Sequence, residues 1–94
     1  MQVDHIAACG IAWRKKADPV AGLELVECLQ SEDEEVRMLA QTLLAETGEA
    51  SMSLLETAVA TGMVSPDFAG PCMVTILRFQ KQIGDWAGYE RTLN

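Results

Sequence analysis

Ser31-Glu32-Asp33-Glu34-Glu35-Val36-Arg37-Met38-Leu39-Ala40-Gln41-Thr42-Leu43-Leu44-Ala45-Glu46-Thr47-Gly48 is a capped amphipathic helix by its spacing. Ser31 with Glu34 three residues on predicts a capping box, each side chain accepting from a backbone donor that the first turn leaves unpaired. The acids at 32–35 suit the positive end of the helix dipole. Val36, Leu39, Ala40, Leu43, Leu44 and Thr47 then recur at three- and four-residue steps, the mark of one buried helix face, and Gly48 ends the run.

The flanks repeat the pattern. A helix over about 19–30 starts at Pro19 behind an Asp18 N-cap and turns Gly22, Leu25, Val26 and Leu29 inward, with Leu23 beside them. Ahead of it, a helix over about 3–16 buries Val3, Ile6, Cys9 or Gly10, and Trp13. Behind Gly48, a helix over about 49–61 buries Met52, Leu55, Ala58 and Val59 and stops at Gly62. Residues 62–71 carry two glycines and two prolines and read as irregular, although Ser65-Pro66-Asp67 is itself a helix-start signal. A fifth helix over about 71–83 buries Met73, Ile76, Leu77 and Ile83. Asp85 caps a last one over about 85–93 carrying Trp86, Tyr89 and Leu93.

Composition agrees with an all-α chain. Ninety-four residues, 49% of them apolar, suffice for one domain spanning 1–94, and 5% aromatics beside abundant Ala, Leu, Glu, Met and Gln favour helix over sheet. A shift of thirty residues lays Ile6, Cys9, Gly10 and Trp13 onto Val36, Leu39, Ala40 and Leu43, and Leu25, Cys28 and Leu29 onto Leu55, Ala58 and Val59. Such self-similarity is the signature of a helical repeat, whose units bury their apolar faces on one another.

Asp18-Pro19, Leu25, Leu29, Asp33, Val36-Arg37, Ala40, Leu43 and Gly48 resemble the HEAT-like repeats in their short bacterial form. Glu34 stands where that family commonly has proline and Ala45 where it commonly has glycine, and the fifth helix lacks the Val-Arg pair. The resemblance covers about residues 18–59. It implies an α-α superhelix of five to six antiparallel helices, in which each outer helix is followed by an inner one. It also implies that Arg37 pairs with an acid of an inter-helix turn, Asp33 or Asp67. Read from spacing alone, Arg37 is an exposed i+4 partner of Asp33. The same stripes also fit a compact helical bundle in which Trp13 and Trp86 meet across the core.

With the first, third and fifth helices as the inner ones, spacing turns Ala8, Ile11, Ala12 and Lys15, then Met38, Gln41, Thr42 and Ala45, then Val74, Arg78 and Lys81 away from the core. Ile11, Met38 and Val74 form an apolar patch of the kind that marks an interface. The expected function is a noncatalytic adaptor or scaffold that binds a protein or peptide through Ile11, Met38, Gln41, Thr42, Val74 and Arg78. Self-association through the same face is the competing expectation. The resemblance adds a third, since some short HEAT-like proteins handle tetrapyrrole chromophores or assist modification enzymes; Cys72 is the residue that such a role would use, and it needs exposure and a lowered pKa.

Charge narrows the partners. The net charge of -7 concentrates between Asp18 and Glu56, where ten acids face Arg37 alone. An acidic centre disfavours nucleic acid; it reads first as a solvated, solubilising surface, with a basic partner as the alternative. No apolar run approaches the ~20 residues needed to cross a bilayer. Asp4 lies where a secretory leader would be apolar, and Arg14-Lys15-Lys16 follows the apolar stretch instead of preceding it, which points to a cytoplasmic chain.

No Gly-rich phosphate loop and no nucleophile with a recognisable base is present, so neither catalysis nor a cofactor is expected. Cys9, Cys28 and Cys72 are widely spaced and sit among apolar neighbours, as buried reduced cysteines do. Asp4, His5 and Cys9 share one helix face, but a lone His without a Cys-x-x-Cys pair is poor metal geometry, and no metal site is expected.

Overall fold

Asp18, Asp33, Ser65 and Asp85 decide where the chain turns into helix. Asp18, Asp33 and Ser65 have extended backbone, and each accepts the amide two residues on, at 3.0, 2.9 and 3.2 Å. Asp85 accepts from Gly88 at 3.0 Å. In the computed structural model, which describes residues 2–93, six helices follow: α1 (Gln2–Lys16), α2 (Pro19–Cys28), α3 (Glu34–Ala45), α4 (Glu49–Ala60), α5 (Pro66–Gln82) and α6 (Trp86–Leu93). There is no strand among the described residues.

Two expectations about helix starts are corrected. The capping box of Ser31 and Glu34 does not form: Asp33 is the N-cap of α3, and Ser31 Oγ accepts the Asp33 amide at 3.1 Å in the turn before it. Glu34 is the first helical residue and exposed. The fifth helix starts at Pro66, five residues earlier than its stripe suggested, and carries Pro71 inside it. A proline there removes one helical hydrogen bond. The helix continues because Ala69, Cys72 and Ile76, on one face across the proline, are all buried.

The helices pack in two rows. α3 lies between α1 and α5, α4 contacts α2 and α6, and each helix also packs on its neighbours in sequence except across the α3–α4 turn. Contacts within the first row advance together along both helices. A Cβ on Gly10 would come within 2.8 Å of Leu43, Trp13 reaches Thr47, and Arg14 bridges to Glu46 at 3.2 Å, so α1 and α3 run parallel. Gln41 accepts from Thr75 at 3.3 Å, and Thr42 and Ala45 sit beside Arg78, Phe79 and Gln82, so α5 runs the same way.

Ile6, Trp13, Leu25, Leu29, Val36, Leu44, Leu55 and Ile76 anchor one core, as their spacing required. Trp13 closes it: its indole N–H donates to both Thr47 and Ser51, at 2.8 and 2.9 Å, where α1, the end of α3 and α4 meet. Gly22 has no Cβ to spare, since one would come within 2.8 Å of both Trp13 and Leu54. Val3 and Ile83 are exposed instead of buried, and Ala45 is buried instead of exposed; Trp86 and Leu93 on the last helix are exposed as well. Trp86 stacks edge-on with Tyr89 at 5.9 Å, outside the core, so the two tryptophans do not meet. α6 instead turns its small face inward, with Gly88 buried and Thr92 accepting from Gln80 at 3.0 Å.

Candidate functional site

Because α1, α3 and α5 run parallel, the stripes they turn outward share one polarity. Ile11, Met38 and Val74 keep 51%, 60% and 47% of their surface exposed, large values for side chains of this type. Helical spacing continues each stripe. Asp4, Ala8, Ile11 and Lys15 follow one another on α1. Glu34 or Glu35, Met38 and Thr42 do so on α3, and Asp67, Pro71, Val74, Arg78 and Lys81 on α5. The face is therefore acidic at the end where the helices begin, apolar across its middle and basic where α1 and α5 end.

The remaining expected contact residues fall on or beside this face. Thr42 is exposed and donates to the Met38 carbonyl at 3.0 Å, while Gln41 is half-buried and tied to Thr75 between α3 and α5. Thr42 and Arg78 flank a shallow groove of ≈ 240 Å³ between the two helices. Ala12 is half-buried and belongs to the packing instead.

Arg37 does not take up the ion pair that the resemblance implied. Its guanidinium donates to the Ser31 carbonyl at 2.6 Å and so ties α3 to the end of the α2–α3 turn. Ser31 thus serves the turn twice, through its hydroxyl and its carbonyl.

A second cluster lies where α1 packs on α2. His5 and Cys9, four residues apart on one face of α1, meet Glu24 of α2: His5 Nε2 is 2.5 Å from Glu24 Oε2, the Cys9 thiol donates to the same oxygen at 3.1 Å, and Cys9 Sγ lies 3.6 Å from His5 Nε2. The two hydrogen bonds, the thiol's first, hold the Glu24 carboxyl below its usual range. Burial, with Glu24 adding to it, pushes the Cys9 thiol up to about 11. Beside the three groups opens a groove of ≈ 480 Å³ that Glu27, Cys28, Gln30, Ser31 and Val36 also line.

The sequence grouping Asp4-His5-Cys9 had the right helix face and the wrong acid. The signal for Glu24 was the two-residue turn at Ala17-Asp18, which folds α2 back along α1 and brings Trp13 to Gly22 and Cys9 to Glu24.

Cys72 is fully buried, and burial alone pushes its thiol up to about 12, so it offers neither the exposure nor the lowered pKa that a reactive role needs. Cys28 is half-buried at the edge of the α1–α2 groove, and burial raises its pKa too.

No helix among the described residues is long and apolar enough to cross a membrane. No family model, curated protein or solved structure matches the chain, so the resemblance to HEAT-like repeats rests on the residues quoted for it.

Proposed function

We propose that the chain is a noncatalytic protein-interaction module that docks through the outward face of α1, α3 and α5. The observation that carries this reading is the alignment of exposed Ile11, Met38 and Val74 between an acidic and a basic end on three parallel helices. An apolar centre with charged margins is the anatomy of a protein interface, and its polarity demands a partner whose charges run the opposite way.

A second copy of the chain meets the polarity requirement without any further component. With the two-fold axis running across the helices, those of one copy run opposite to those of the other, so Asp4, Glu35 and Asp67 face Lys15, Arg78 and Lys81 while the apolar residues meet at the centre. The occupant to which we commit is therefore a second copy, in preference to the basic partner that net charge alone suggested.

Light scattering across a concentration series tests it. The chain is expected to approach twice its 10.2 kDa mass, and the Ile11→Glu/Met38→Glu/Val74→Glu variant to run as a folded monomer by circular dichroism. A strict monomer at every concentration, or a triple variant that dimerises like the parent, overturns the assignment.

A further inference from the structure

We propose that His5, Cys9 and Glu24 form a binding site for a zinc-class divalent cation, with a fourth coordination position open to the groove between α1 and α2. The site stands apart from the docking face and does not depend on that reading.

Three different donor types converge here, an imidazole nitrogen, a thiol sulfur and a carboxylate oxygen, all within 4.8 Å of one another. Nitrogen, sulfur and oxygen together are the ligand set of Zn²⁺, whereas Ca²⁺ and Mg²⁺ take oxygen almost alone. The separations fit as well. A tetrahedral ion with a Zn–S bond of ~2.3 Å and Zn–N and Zn–O bonds of ~2.0–2.1 Å needs its donors ~3.3–3.6 Å apart. Cys9 Sγ and His5 Nε2 are already 3.6 Å apart, and Cys9 Sγ and Glu24 Oε2 are 3.1 Å apart. Two pairs must open, both by movement of Glu24 or His5: the 2.5 Å pair of His5 Nε2 and Glu24 Oε2 by about 0.8 Å, and the 3.1 Å pair of Cys9 Sγ and Glu24 Oε2 by about 0.4 Å. Both side chains can do this without moving the backbone, being 66% and 42% exposed, while the buried Cys9 stays fixed.

The frame is rigid where it needs to be. His5 and Cys9 stand at i and i+4 on a fifteen-residue helix, the spacing that puts two ligands on one face. Glu24 is held opposite by a hairpin whose core, Trp13 against Gly22, is closely packed. Three protein ligands plus one open position is the arrangement of zinc sites that bind or activate a further ligand, in contrast to the closed four-ligand structural sites. Glu27 and Cys28 line the groove onto which that position opens. Binding forms the metal–sulfur bond as the Cys9 S–H proton leaves to solvent, one proton for each ion.

Co²⁺ is the probe, because a thiolate bound to it gives a near-ultraviolet charge-transfer band and tetrahedral coordination gives intense visible bands. Titrating the full chain under reducing conditions is expected to show both at one equivalent, and Zn²⁺ to abolish both by displacement. Cys9→Ser removes the charge-transfer band. His5→Ala and Glu24→Gln, both at partly exposed positions that the fold does not need, weaken binding at least ~10-fold, since even groups that only orient a ligand cost that much. Cys28→Ser and Cys72→Ala keep the band. Absence of a thiolate band in the parent chain overturns the proposal. So does a band that survives Cys9→Ser or disappears with Cys28→Ser, or affinity unchanged by both His5→Ala and Glu24→Gln.

Discussion

Trp13 and Gln80 are both large, polar-tipped and buried, at 8% and 2% exposure, yet their surroundings treat them differently. The Trp13 indole N–H has two acceptors, Thr47 and Ser51, and Thr47 passes its own proton to the Leu44 carbonyl at 2.9 Å. Gln80 spends its amide N–H on Thr92, while its Oε1 is buried with no partner among the described residues. A satisfied buried polar group specifies one packing; an orphaned one costs the full desolvation of its lone pairs. The end of the molecule built on Trp13 is thus fixed by shape and hydrogen bonding together. The end where α6 docks is held by less: a buried glycine, one side-chain hydrogen bond to Gln80, the Lys81 ammonium 5.1 Å from the Tyr89 ring centre and the exposed Arg91–Glu49 pair.

Four substitutions press on that difference. Trp13→Ala is expected to cost ~3–5 kcal/mol in chemical denaturation, as removal of a buried aromatic does. Trp86→Ala, at a site 58% exposed, is expected to stay within ~0.5 kcal/mol of the parent. Equal losses would mean that the two ends are equally anchored. Gly22→Ala is next in size. The added methyl would press on Trp13 and Leu54 at 2.8 Å, and the overpacking is expected to lower stability by ~1–3 kcal/mol. An unchanged denaturation midpoint would show that the Trp13 end yields more easily than its packing implies. Smallest is Gln80→Met, which keeps the volume and removes the orphaned acceptor. Thr92 loses a donor but still gives its own proton to the Gly88 carbonyl at 2.7 Å. Stability is expected to hold or to rise by up to ~1 kcal/mol; a loss above that would place an unseen partner at Oε1.

The same contrast decides what could be read from the sequence. Around Trp13 the local signals agree. The Asp18 cap, Pro19 at the first helical position and the stripes through Leu25, Val36, Leu44 and Leu55 all give the boundaries and buried faces that form. Near α5 and α6 they conflict. Pro71 argues against a helix that packing sustains, and the large side chains of Trp86 and Leu93 suggest a buried face that Gly88 takes instead. The outward exposure of Ile11, Met38 and Val74 followed from spacing, but the charge polarity of their face did not, because it depends on three helices running parallel. His5 and Cys9 showed their common face through i, i+4 spacing. Glu24 is fifteen residues beyond Cys9, and only the tightness of the turn between them brings it there.

That turn has a kinetic consequence. With Ala17 in the left-handed region at φ 51° and Asp18 capping the next helix, α1 reverses into α2 through two residues. A connection so short adds little loop-closure entropy, and contacts made across it join residues close in sequence. Folding can therefore start by zipping this hairpin, with α3 to α5 adding to a seed already in place. The helix farthest from that seed, α6, would be the last to dock and the first to fray.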